Sequence, residues 1–534
     1  MKHLQLKILF IFVISSLFLN CARRGTPIGG PKDSIPPVLV KAIPKIESVN
    51  FKAEKIKIYF DEYIKLKDVK KNLVISPPQK NDPEIIPVGT ASKYISIKIL
   101  DTLDANTTYS FNFGNSIIDN NESNELGNFK YVFSTGIYID SLSLSGKVTD
   151  PLLKKSVKGI DVLLYAYNEN FTDSIIYKEK PRYIANTLDS TLFNLTNLKE
   201  GKYLMIALQD VNNNKIYNPK TDKIGFIKDT ISLPIDSSYN FTLFKEIPEL
   251  KVIRPKEEVK GHLIFGFEGD AHDLDIKLLT TTPKDFKSEI IYDAIKDTIH
   301  YWYSPFETDS LNFEVSKNEY LEPFTARIRS SKIDSLKIEH SGNTLHLLDT
   351  FSLNSNTPIV QFDKSLISLF SSDSIPVNFE PSLSKTKTKL YLNFEKKYKT
   401  LYTVKLLPDA LVDIYDIASD SLNYKFNTKS PDDYGILKLN FTSNYSKSLI
   451  VELLNNKEQL VRVLKIDAPQ EIIFNSLSPD TYFVRVTFDE NSNGKWDTGN
   501  YLNKQQPEKI IYFKKPLELR ANWENNETFD LNQL

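Results

Sequence analysis

The sequence predicts an all-β chain of tandem β-sandwiches, and three observations predict it. Apolar and polar residues alternate with period two in Ile56-Lys57-Ile58-Tyr59-Phe60, Tyr109-Ser110-Phe111-Asn112-Phe113 and Tyr131-Val132-Phe133-Ser134-Thr135, and Val162-Leu163-Leu164-Tyr165 is a short apolar run of strand length. A strand turns successive side chains to opposite faces, so alternation marks a half-buried strand. Turn clusters rich in Asn, Asp and Pro recur about every ten residues, the rhythm of a sandwich. No long stretch carries a helical period, which leaves sheet packed on sheet.

Composition bounds the class. The 534 residues are 41% apolar and 12% aromatic, too apolar for a disordered chain. At about 100 residues per sandwich there is room for five. The 67 basic side chains face 68 acidic ones, a net charge of −1, so no basic excess exists to bind nucleic acid non-specifically.

Residues 1–20 read as a secretory signal: Lys2, His3 and Lys7, then an apolar run from Ile8 to Leu19. The run is too short to cross a hydrocarbon core of about 30 Å as a helix. Cys21 follows directly and is the chain's one cysteine, so neither a disulfide nor a cysteine-based zinc site can form. Leu17-Phe18-Leu19-Asn20-Cys21 resembles a relaxed lipobox of Bacteroidetes lipoproteins, with Phe18 where Leu is usual and Asn20 where a small residue is usual. The resemblance implies lipidation of Cys21 and, with Ala22 next, an outer-membrane location; the periplasmic or surface side stays open. Two or three acyl chains would hold the protein where one gives marginal attachment. Residues 21–37, rich in Gly and Pro, read as a tether.

Internal repeats place the domains. Tyr109, Ile118-Asp119 and Tyr131 to Thr135 recur as Tyr402, Val412-Asp413 and Tyr424 to Thr428. With Pro36-Pro37 and Phe60-Asp61-Glu62, residues 35–136 resemble the bacterial Ig-like domain of S-layer and lipoprotein chains; 346–429 would be a second, divergent copy. Leu198-x-x-Gly201-x-Tyr203 lies before Asp210 as Leu477-x-x-Asp480-x-Tyr482 lies before Asp489. With Leu144-Ser145-Gly146-Lys147-Val148, residues 137–248 resemble a carboxypeptidase-regulatory-like or Cna-B-like, prealbumin-type sandwich, and 430–534 repeat it. Residues 249–345 are strand-rich and unmatched.

Candidate sites follow. Asp489, Asn491, Asn493 and Asp497, with Gly494 in sixth place and the Lys495 carbonyl, keep the spacing of a calcium loop, without its usual twelfth-place Glu. The competing reading is a turn that uses Asn and Gly for positive φ. Asp210, Asn212, Asn214 and Asn218 form a weaker sister loop, with Lys215 in place of the glycine. Asp119-Asn120-Asn121-Glu122 reads as a long sandwich loop. Tyr301, Trp302 and Tyr303 either offer rings to a sugar or a protein, or form an alternating strand with the tyrosines on one face and Trp302 in the core. An Asp, then Ser or Thr, then an aliphatic residue or Thr recurs at Ser34, Thr102, Ser141, Ser174, Ser190, Thr230, Thr298, Ser310, Ser335, Ser374 and Ser421. It resembles the O-glycosylation motif of Bacteroidetes exported proteins, and it also suits turns that open strands.

No zinc-protease histidine pair, nucleophile elbow, phosphate loop or dinucleotide fingerprint occurs, so no enzyme is expected and no cofactor is required, calcium being the one candidate. The expectation is a lipid-anchored rod or scaffold of the outer membrane, spanning about 30–40 Å per domain. Its expected partner is an outer-membrane protein in an assembly or export complex. The alternative is a surface lipoprotein that binds polysaccharide.

Overall fold

The computed structural model describes residues 33–533 apart from 170 and 446. The signal segment, Cys21 and the tether up to residue 32 lie outside the described residues. The chain divides into two compact units, at Asp140/Ser141.

In the first unit, Leu39–Ile43, Lys55–Leu66, Ser92–Lys98 and Glu84–Ile86 form one sheet in that spatial order, with Ile117–Asp119 on the far end of Lys55–Leu66. Val74–Ser76, Thr108–Asn112 and Lys130–Ser134 form the other. The period-two pattern sends Ile56, Ile58, Ile95, Ile97, Phe111 and Phe133 between them. The Tyr109 hydroxyl accepts the Asp104 N–H at 2.9 Å, and Thr135 Oγ1 donates to the Asp104 carbonyl at 2.7 Å. Tyr402, Lys397 and Thr428 repeat this corner. The Tyr and the closing Phe-x-Thr of the motif therefore share one turn.

The second unit holds four sandwiches. In the first, Leu192–Leu198, Leu142–Thr149 and Ser238–Thr242 face Tyr183–Asn186, Asp161–Ala166, Gly201–Gln209 and Lys223–Phe226. In the last, Glu471–Leu477, Gly435–Thr442 and Glu524–Asp530 face Leu460–Ile466, Leu449–Leu454, Asp480–Phe488 and Ile510–Tyr512. The two match strand for strand, including the parallel pairing of opening and closing strands. Gly146 permits that pairing, since a Cβ there would sit 1.9 Å from the Tyr239 carbonyl oxygen. The repeated tyrosines donate to carbonyls four residues back, Tyr203 to Lys199 and Tyr482 to Ser478.

The unmatched segment is also two facing sheets. Lys251–Val252, His262–Glu268, Thr298–Tyr303 and Ser288–Asp293 cover Asp275–Leu278, Ser310–Lys317 and Tyr320–Arg327 around Phe265, Tyr301 and Phe313. The next sandwich, whose start the repeat suggested at 346, begins at Ile338. Ile338–His340 and Thr344–Leu345 supply edge strands to its two sheets. Edge strands this short carry no readable alternation.

The second unit is not an open rod. Lys220 pairs with Glu268 at 2.9 Å, joining its first sandwich to its second. Lys287 pairs with Asp416 at 2.6 Å, joining second to third. His346 Nε2 lies 2.6 Å from the Ser476 carbonyl oxygen, joining third to fourth. The fourth then returns to the first. Lys504 Nζ is 2.6 Å from Asp173, and Thr498 Oγ1 donates to the Lys245 carbonyl at 2.7 Å. The Arg485 and Tyr512 side chains both donate to the Leu152 carbonyl. The expected extended string is thereby corrected, for this unit, to a closed circuit.

Candidate functional site

The two Asp-x-Asn-x-Asn loops leave the ends of equivalent strands, Gly201–Gln209 and Asp480–Phe488. In the later loop Asp489 is fully buried. Its Oδ1 accepts the Asn493 N–H at 3.0 Å and its Oδ2 the Gly494 N–H at 2.8 Å. The Lys465 ammonium lies 3.8 Å from Oδ2. Asn491 and Asn493 donate their amides to Asp497 Oδ2 at 2.5 and 2.8 Å, and Asn493 Oδ1 accepts the Lys495 N–H. The loop thus brings its predicted side chains together but spends their oxygens on its own donors. Glu508, which spacing could not reveal, closes it from across the strand pair by accepting the N–H groups of Glu490 and Asp497. Burial, then the nearby Asp497 and Asp489 charges, push its carboxyl above the usual range against these hydrogen bonds.

Calcium takes six or more converging oxygens. Among the described residues no group of three His, Cys, Asp or Glu is placed to hold a metal ion. Saturating calcium is therefore expected to move the thermal midpoint by less than about 1 °C. A larger rise, lost in Asp489→Asn, would instead assign this loop as a calcium site.

The sister loop carries its own cation. Lys215, at φ 62° where the other loop has Gly494, extends its ammonium to 2.6 Å from Asp161 Oδ2 and 3.7 Å from Asp210 Oδ2. Both carboxylates are almost wholly buried. Burial raises the Asp161 carboxyl above its ordinary value, and the Lys215 charge opposes it. Asn214 and Asn218 cap the N–H groups of Ile216 and Lys220, and Asn212 donates to Thr221 Oγ1 at 3.4 Å. A dication at this point would meet a resident positive charge.

Asp119 is a loop anchor. Its carboxylate accepts the backbone N–H groups of Asn121, Glu122, Ser123 and Asn124 at 2.7–3.1 Å. Burial opposes its ionisation, yet these four donors hold the carboxyl below its usual range.

The aromatic strand is buried on both faces. Tyr301 and Tyr303 point into the sandwich core, 2% and 1% exposed, and Trp302, at 6%, points the other way. This inverts the sequence assignment of faces and withdraws both tyrosines from ligand stacking, while Trp302 keeps an edge on an open pocket with Tyr292, Ile295 and His300. His262 stacks on Trp302 with ring centroids 3.6 Å apart, and Tyr415 of the following sandwich covers it at 6.1 Å. Gly261 makes room: a Cβ there would lie 2.4 Å from Tyr415 Cε1. The neighbouring sandwich was the missing information, since nothing local reveals a domain joint.

His262 Nε2 lies 2.9 Å from His300 Nδ1. Burial, with His300 beside it, lowers the His262 pKa to about 3. The unfolded chain then binds a proton, at the ordinary 6.5, that the folded chain refuses. Stability falls as pH drops from 6.5 toward 3, by roughly 1.4 kcal/mol per pH unit for one group. His262→Phe is expected to flatten that dependence in urea titrations at pH 7 and pH 5; an equal acid loss in the variant would refute the assignment.

Of the eleven Asp-Ser/Thr sites, Ser34, Thr102, Ser141, Ser190, Thr230, Ser335, Ser374 and Ser421 are exposed, while Ser174, Thr298 and Ser310 are half-buried.

Comparison with known proteins adds one domain-level match. No curated protein sequence matches the chain. Among solved structures, the major pilin subunit BcpA of Bacillus cereus aligns at 10% identity over 73% of this chain and 99% of that one, with a TM-score of 0.15. Surface layer protein SbsC, domains 1–6, aligns at 10% over 91% and 68%, with 0.14. The Bacillus anthracis TIE protein aligns at 10% over 94% and 75%, with 0.15. Superpositions this loose carry no functional argument. Residues 33–135, the first sandwich with its corner tyrosine and anchored Asp119 loop, match the bacterial Ig-like domain family.

Proposed function

We propose that the chain is a lipid-anchored, non-catalytic protein of the outer membrane, a scaffold or accessory subunit of a cell-envelope complex that assembles or exports outer-membrane proteins. The observation that carries this reading is the closed circuit of four sandwiches. Its polar contacts between sandwiches fix the domains against one another, which gives loops and strand edges a set geometry for binding protein. One such edge is Leu460–Ile466, which among the described residues is unpaired on its outer side and exposes Leu460, Val463 and Leu464. An exposed apolar edge is a template for strand addition by a partner.

The test is affinity purification of the tagged native protein from detergent-solubilised membranes. A stoichiometric outer-membrane barrel partner is expected, and Cys21→Ser should release the protein from membranes. Purification without any barrel, or membrane retention of the Cys21→Ser chain, would overturn the reading. The exposed Asp-Ser/Thr sites are the proposed glycan carriers. Intact mass of the secreted chain should exceed polypeptide plus lipid, and a bare mass would remove that proposal.

A further inference from the structure

The sandwich of residues 249–328 carries a charged groove unrelated to the loops and joints above. The chain has nine arginines. Three of them, Arg254, Arg327 and Arg329, line one open groove of about 740 Å³ with Lys256, Glu257 and Ser330. All three arginines are exposed, and among the described residues none makes an ion pair, whereas Arg485 is held by both oxygens of Glu452. Three unpaired guanidiniums thus share the groove with one carboxylate, Glu257, while Lys256 at its rim pairs with Glu258 at 3.5 Å, in a chain whose net charge is −1.

The backbone holds this arrangement. Glu257 Oε2 accepts the N–H groups of Arg329 and Ser330 at 2.7 and 2.9 Å, pinning the chain that carries Arg329 to the groove. Arg254 Nε donates to the Thr325 carbonyl at 3.2 Å, which lays that side chain along the strand Tyr320–Arg327 and leaves its two terminal nitrogens free of that bond. Guanidiniums repel one another when gathered without counter-charges, so the cluster gains most from an oxyanion. A guanidinium presents parallel N–H pairs to two oxygens. A phosphate monoester offers three oxygens and up to two charges, enough to engage more than one arginine, where a lone carboxylate offers two oxygens and one charge.

We propose that this groove is a binding site for a phosphate group carried by a larger molecule, either a membrane lipid headgroup or a soluble phosphate ester. It does not depend on the lipid anchor. The experiment uses the mature chain bearing Cys21→Ser, so that no acyl chain contributes. Inorganic pyrophosphate is titrated calorimetrically at low salt. In parallel the protein is floated with vesicles of phosphatidylcholine alone or with phosphatidic acid added. Saturable pyrophosphate binding is expected. It should weaken at least tenfold in Arg254→Gln, Arg327→Gln or Arg329→Gln and disappear in the triple variant, while Arg462→Gln binds as the parent does. Flotation with phosphatidic acid, lost in the triple variant, assigns the headgroup; pyrophosphate binding without flotation assigns a soluble ester. The three side chains are exposed, so the thermal midpoint of the triple variant should match the parent and exclude misfolding. Absence of both signals, binding that survives the triple substitution, or equal competition by a polyglutamate peptide would overturn the proposal.

Discussion

Lys215→Met is expected to destabilise the sandwich of residues 137–248 by about 3–5 kcal/mol, the usual cost of leaving a buried charge without its partner. The ammonium neutralises Asp161 and Asp210, whose side chains are 3% and 1% exposed. Methionine keeps most of the stem and removes the charge, so the loss reports electrostatics rather than packing. The pH dependence gives a second readout. The Asp161 carboxyl already sits above its ordinary value through burial, with Lys215 pulling it down. Without the lysine it rises further, and the folded variant holds a proton that the unfolded chain has released. The variant therefore loses stability as pH rises above the ordinary aspartate value of about 3.9. Urea titrations should show a larger gap between parent and variant at pH 7 than at pH 4.5. A gap below about 1 kcal/mol at pH 7, or one of the same size at both pH values, would show that Lys215 is an ordinary surface charge.

The second large effect belongs to the return contact. Glu246, 7% exposed, belongs to the first sandwich of the second unit and accepts the Tyr501 N–H from the last at 2.5 Å. Its other oxygen accepts the Tyr217 hydroxyl at 2.7 Å. Tyr217 and Tyr501 are buried, and burial, reinforced by neighbouring carboxylates, drives both phenols well above their ordinary pKa. Glu246→Leu strands both donors, at about 1–3 kcal/mol each. The Tyr501 ring also rests edge-on against Phe226, so the loss is shared with an apolar contact. Small-angle scattering of the variant should show a larger radius of gyration, and limited proteolysis should cut between sandwiches that are protected in the parent. Glu246→Gln retains one acceptor oxygen and should fall between the two. An unchanged radius for Glu246→Leu would mean that the Arg485 and Tyr512 bonds to Leu152 suffice to hold the circuit closed.

Legibility differed from site to site for definite reasons. Ile56, Ile58 and Phe60 announce their strand because strand faces alternate, and that rule is local. Tyr109 with Thr135, and Tyr203 with Leu198, were readable as repeated motifs, although what the tyrosines bond to was not. The calcium-type spacing of Asp489 to Asp497 was equally plain. It could not show that backbone N–H groups and Lys465 already engage Asp489, or that Glu508 closes the loop from a later segment. Lys215 stood in the sequence as a missing glycine; only the fold shows its ammonium reaching Asp161, which lies on another strand.

The sequence by itself determined the all-β class and the repeated motifs, because alternation and turn chemistry act between residues near one another in the chain. Tertiary structure alone decided that Trp302 is covered by Tyr415, that the last sandwich returns to Glu246 and Asp173, and that Arg254 meets Arg327 and Arg329. Those contacts join residues tens to hundreds of positions apart. Burial and charge neutralisation between such residues depend on distance in space, which no periodicity encodes.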